Sequence, residues 1–104
     1  MSDSPVTIVT GASRGIGAAT ALEFGRAGYR VALIARNEQQ LIEVGRQVAA
    51  YGTEAIPLAG DLADLAFAES CIAKIVERWG RIDVLVNNAG VMTPPAGSKD
   101  KLVR

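Results

Sequence analysis

The chain has no histidine and only one cysteine in 104 residues. Without histidine no Cys/His metal cluster can be assembled, and Cys71 by itself has no partner for an internal disulfide. Cys71 falls in an apolar helical pattern and reads as a buried structural thiol. An excess of charge of either sign is also missing, since 11 Lys and Arg balance 11 Asp and Glu. That balance supplies no electrostatic attraction to nucleic acid or to an acidic membrane. No apolar run reaches the length of a signal-peptide core or a membrane span, and the chain opens on the polar Met1-Ser2-Asp3-Ser4-Pro5. The expected compartment is the cytoplasm. What is present is apolar substance: 49% of the residues are hydrophobic, which speaks against disorder. One small domain is the natural unit at this length, burying only roughly 60–70% of the surface its unfolded chain exposes.

Apolar runs of strand length alternate with stretches of helical period, the pattern of a parallel sheet covered by crossover helices. Strands are expected at Val6–Val9, Arg30–Ala35, Glu54–Leu58 and Ile82–Asn87. The third contains Pro57, which suits an edge where no neighbour needs the missing N–H. Between them lie helices at Ile16–Ala27, apolar through Ile16, Ala19, Leu22 and Phe24, at Glu38–Tyr51, and at Ala66–Trp79 with a stripe of Ile72, Ile75, Val76 and Trp79. Gly28, Gly52 and Gly80 stand past the three ends as stop signals. Right-handed crossovers order four such strands 3-2-1-4, a Rossmann-like doubly wound α/β sheet that stops after strand four. The order reverses between strands one and four, and ligands of open α/β sheets bind at that switch point, outside the carboxyl ends of the strands.

The run Thr10-Gly11-Ala12-Ser13-Arg14-Gly15-Ile16-Gly17 sits at such an end. Gly11 is free to take backbone angles closed to other residues, Gly15 has no Cβ to hold a pyrophosphate away, and Gly17 allows close packing of the helix. The first-turn N–H groups of that helix point at the anion. At the end of the second strand the chain reads Ile34-Ala35-Arg36-Asn37, with no carboxylate before Glu38. A carboxylate there would bond the ribose 2′-hydroxyl of NAD, whereas Arg36, with Arg14, is suited to a 2′-phosphate. NADP(H) is therefore favoured over NAD(H). The plainer alternative makes Arg36 an ordinary solvated loop residue. Asp61-Leu62 follows the third strand, where Asp61 is placed either to accept from an adenine amino group or to cap the helix beginning near Asp64. Asn87-Asn88-Ala89-Gly90 closes the fourth strand, and by composition alone is also a plain turn.

Taken in order, the G-x-x-x-G-x-G loop with Thr10 before it, Arg36, Asp61-Leu62 and Asn87-Asn88-Ala89-Gly90 resemble the short-chain dehydrogenases/reductases, over Val6 to about Val91. The loop reads like that of 3-oxoacyl-carrier-protein-reductase-like members. The resemblance implies a dinucleotide lying against Gly11, Ser13, Arg14, Gly15, Ile16 and Gly17, with Asp61 and Leu62 at the adenine ring. It further implies Asn88, Ala89 and Gly90 at the ribose, with Asn87 holding the strand end. Residues 1–93 then form the dinucleotide-binding half of a Rossmann domain. Residues 94–104, turn-rich and charged, are a flexible tail or the start of a missing segment. Family members reduce carbonyls or oxidise alcohols with a Tyr-x-x-x-Lys pair plus a serine and an asparagine. No catalytic residue can be assigned here, because Tyr29 is followed four residues on by Leu33 and Tyr51 by Ala55. A small carbonyl or alcohol substrate is expected only in a full-length parent.

Three other readings arise from the same residues. A P-loop hydrolase fails because no Gly-Lys-Ser/Thr follows the glycines, and a methyltransferase would prefer an acidic residue at the end of strand two. A non-catalytic chain that binds a dinucleotide or associates with a partner, itself included, stays open, since a fourth strand at an edge favours association.

Overall fold

The computed structural model of the chain describes residues 3–88; Ala89, Gly90 and the 94–104 tail, on which expectations were placed, lie outside that range. Seven elements alternate as expected: β1 (Val6–Thr10), α1 (Gly15–Arg26), β2 (Arg30–Ala35), α2 (Glu38–Ala49), β3 (Ala55–Ala59), α3 (Leu65–Trp79) and β4 (Val84–Val86). All strand pairs are parallel and the sheet order is β3-β2-β1-β4. β1 is buried along its whole length, which is why it reads as an unbroken apolar run rather than an alternating one. Pro57 occupies the edge strand, opposite Leu33 of β2.

Each face of the sheet carries its own core. On one face Val9, Val31 and Leu33 pack with Ala21 of α1 and Leu41, Val44 and Val48 of α2. On the other, Val6, Ile8, Ala32, Ile34 and Leu58 pack with Cys71, Ile75 and Trp79 of α3. Cys71 is buried as read, and burial pushes its thiol pKa up.

Two helical faces differ from expectation. α1 buries Gly17, Ala21 and Gly25, spaced by four, with Gly17 against the Gly11 backbone and Gly25 against Val48 of α2, while Ile16 is 76% exposed. Small residues on the inner stripe let the helix approach closely, and a larger Ile16 is turned outward. On α3 the inner stripe is Cys71, Ile75 and Trp79, leaving Ile72 and Val76 at 46% and 47% exposure. Those two stand one position on from Cys71 and Ile75, about 100° around the helix.

β4 is three residues long where six were expected. Side chains replace the ladder at both of its ends. Before it, Asp83 accepts from the Val6 N–H at 2.8 Å while the Asp83 N–H donates to the Val6 carbonyl at 2.9 Å. After it, Thr10 takes over, as described below. No helix among the described residues is long and apolar enough to cross a membrane.

Candidate functional site

The carboxyl ends of β1, β2 and β3 bring the glycine turn, Arg36 and Asp61-Leu62 to one side of the sheet. Gly11 leaves β1 with φ 62°, a left-handed angle that favours glycine. The Ala12 N–H then donates to the Ile34 carbonyl at 3.3 Å, tying the turn to the end of β2. A Cβ on Gly17 would stand 1.9 Å from the Gly11 carbonyl oxygen and 2.6 Å from its carbon. The close packing assigned to Gly17 is therefore against the turn's own backbone rather than against the strand. Gly15 has φ 61°, and a Cβ there would meet nothing within 4 Å, so the space before it is open.

The three helix starts are capped differently. Asn37 Oδ1 accepts from the Gln40 N–H at 2.9 Å at the head of α2, and Asp64 Oδ1 accepts from Ala66 and Phe67 N–H at 3.0 and 3.3 Å at the head of α3. At α1 the cap is Arg14, in extended backbone, and no side chain accepts from the first turn, which also lacks an acidic residue. Such an end, opening on a glycine with free space before it, suits an anion. Ser13 is half-buried, while Arg14, Gly15, Ile16 and Arg36 are exposed. Neither arginine forms an ion pair among the described residues.

Asp61 serves its own turn: Oδ1 accepts from the Ala63 N–H and its carbonyl from the Asp64 N–H, both at 2.9 Å. Capping of α3 belongs to Asp64, so the capping role weighed for Asp61 is excluded. Leu62 is half-buried and packs on the α3-side core.

In the sequence Thr10 stands only as the residue before the glycines, and its role emerges from the fold. Its hydroxyl donates to Asn87 Oδ1 at 2.9 Å, with the Val86 carbonyl at 3.4 Å, and accepts from the Asn88 N–H at 2.8 Å. One side chain thereby clamps the carboxyl end of β4 beside β1 and positions Asn88. At the opposite end of the same strand pair, Arg81 donates to both oxygens of Asp83, at 2.8 and 3.0 Å. That pair, and next the Val6 N–H, hold the Asp83 carboxyl below its ordinary pKa. The sequence signal for this pair is Arg81 two residues before Asp83. Two shallow depressions, of about 400 and 290 Å³, lie away from this edge, one against Ile56 and Lys74 and one around Arg30 and Thr53.

With this geometry in place, a family model described as short chain dehydrogenase matches residues 5–102. The chain belongs to the short-chain dehydrogenases. An L-rhamnose 1-dehydrogenase (NAD(P)(+)) of Azotobacter vinelandii is 44% identical to it over 88 residues, which cover 81% of this chain and 34% of that protein. The L-sorbose reductase of Gluconobacter frateurii, solved with NADPH and L-sorbose, superposes with TM-score 0.81 at 29% identity, covering 94% of this chain and 38% of that one. A 3-ketoacyl-ACP reductase of Sinorhizobium meliloti superposes with TM-score 0.80 at 34% identity over 84% of this chain and 34% of its own. The chain thus spans about a third of the length of the curated relatives it matches. Members of this short-chain dehydrogenase family are NAD(P)-dependent oxidoreductases, and relatives naming either cofactor are among those matched.

Proposed function

We propose that the chain is the NADP-binding N-terminal part of a short-chain dehydrogenase that transfers hydride between a nicotinamide and a carbonyl or alcohol carbon. The observation that carries the reading is the start of α1, bare of side-chain acceptors and opening past Gly15 on free space. Residues fit the cofactor in kind: the Gly11–Gly17 loop with Ser13 and the first turn of α1 for the pyrophosphate, Arg14 and Arg36 for a 2′-phosphate, Asp61 and Leu62 for adenine, and Asn88 with Ala89 and Gly90 for ribose. Bound there, the cofactor would supply the hydride chemistry, while these residues bind and orient it. No Tyr-x-x-x-Lys occurs in the 104 residues, so in this reading they are inactive by themselves and the carbonyl substrate meets them only with a catalytic part. A cytoplasmic location belongs to the same reading.

NADP preference follows from Arg14 and Arg36, neither ion-paired among the described residues, and from the lack of a carboxylate at the end of β2. Calorimetric titration at one salt concentration tests it. Wild type should bind NADP⁺ more tightly than NAD⁺, and Arg36→Asp should reverse the order, each preference by about tenfold or more. Equal binding by wild type, or an unchanged ratio in the variant, removes Arg36 from the reading.

A second reading, a binding module that associates without catalysis, is favoured by one observation. Leu85 of β4 is 64% exposed on a strand paired, among the described residues, only with β1.

A further inference from the structure

Gly60 links β3 to the Asp61 turn, and its N–H donates to the Ala35 carbonyl at 2.9 Å, carrying the β2–β3 pairing one step past the strand. A Cβ built on Gly60 would meet three ring atoms of Phe67, Cε1, Cζ and Cδ1, at 2.4, 2.5 and 2.7 Å. The ring of Phe67, on the first turn of α3, therefore rests directly on the Gly60 backbone. It also packs, with Leu62, against the α3-side core. Downstream, the turn is closed by local bonds alone, Asp61 Oδ1 to Ala63 and the Asp61 carbonyl to Asp64. Those bonds set the shape of the turn but not its distance from the sheet. The turn is held in place by the Gly60 hydrogen bond, by Leu62 packed on the core and by the Phe67 ring against the Gly60 backbone, and an aromatic ring yields little under compression.

We infer that Phe67 is a positioning residue for the adenine subsite, fixing through Gly60 where Asp61 and Leu62 stand. The inference rests on the reading above that adenine lies at Asp61-Leu62, with the 6-amino group donating to the Asp61 carboxylate. Phe67 touches none of the ligand in this account. Its removal would let the turn sink toward α3, and Asp61 would lose its line to the amino group.

The readout is discrimination at the base. A hypoxanthine analogue of NADP⁺ carries an oxygen where adenine carries the amino group, so wild type should bind NADP⁺ more tightly than the analogue. In Phe67→Ala that preference should shrink by about tenfold, while Phe67→Leu, which refills most of the space, should retain most of it. Gly60→Ala alone should also weaken it, but added to Phe67→Ala its methyl enters vacated space and should restore part of it. A merely structural role would weaken both ligands alike in step with thermal stability, leaving the ratio unchanged. Should wild type bind neither dinucleotide, the dinucleotide reading falls and this inference with it; equal binding of both by wild type removes adenine from Asp61 and likewise ends it. Discrimination that survives intact in a folded Phe67→Ala overturns the inference and leaves the dinucleotide reading standing. If Phe67→Ala does not fold, Phe67→Leu and Gly60→Ala decide, and undiminished preference in both overturns it.

Discussion

Single residues at the glycine turn are constrained by backbone atoms rather than by side chains. Gly17 is the sharpest case, because the atom its Cβ would strike is the Gly11 carbonyl oxygen at 1.9 Å, which has no rotamer to move into. Gly17→Ala should cost about 1–3 kcal/mol of stability, the range for forced overpacking. It should also weaken dinucleotide binding by displacing the first turn of α1. Denaturant unfolding of both proteins checks the first effect, calorimetric titration the second; an unchanged midpoint would mean the turn relaxes freely. Gly15 differs, since a Cβ there meets open space and only its φ of 61° resists substitution. The Arg36→Asp test of cofactor preference belongs to this scale too, for it changes one exposed charge with no packing role.

Among the elements, β4 depends most on contacts outside its own ladder. Only three residues pair with β1, and side chains secure both ends. Thr10→Val keeps the shape and deletes the hydroxyl, leaving the Asn88 N–H without its acceptor. The change should cost about 1–2 kcal/mol, the usual range for one half-buried hydrogen-bonded group. Amide exchange at Asn88 should quicken while β1 and β2 stay protected, and uniform protection would deny Thr10 its clamping role.

At the foot of the same strand the contribution depends on pH. The Asp83 carboxyl is held below its ordinary pKa of 3.8 by Arg81 first and the Val6 N–H second. A depressed carboxyl pKa adds stability that is present above the unfolded-state value and is lost as pH falls through the folded one. Asp83→Asn should therefore melt below wild type at neutral pH, with the gap narrowing below about pH 3.8. Melting curves from neutral to acid pH test this, and a gap constant with pH would contradict it.

For the whole molecule, the two faces of the sheet are not equally covered. Leu85 aligns with Ile8, whose side chain lies in the core on the α3 face, yet Leu85 itself is 64% exposed. Ile72 and Val76 are half-exposed on α3, which packs on that same face. Apolar surface beside a strand edge favours association. The purified 104-residue chain should self-associate in sedimentation velocity, with a weight-average coefficient rising with concentration. A concentration-independent monomer that unfolds cooperatively would show that the chain covers this surface itself.

Sequence alone determined the element order, the parallel sheet, its 3-2-1-4 arrangement, the edge position of Pro57 and the placing of the glycine turn at the switch point. These follow from local causes: apolar spacing over a few residues, glycine at turns, and the handedness of crossovers. Which way Ile16, Ile72 and Val76 face, how short β4 is, and what Gly17 and Gly60 touch were decided only by tertiary structure. So were the Thr10 clamp across 78 residues of chain to Asn88 and the Asp83 latch to Val6 across 77. Periodicity tells that a helix has an apolar side, but which of its apolar residues turn inward is settled only by the elements packed against it. A hydroxyl at the end of one strand acquires its partners only when another strand, far along the chain, is laid beside it.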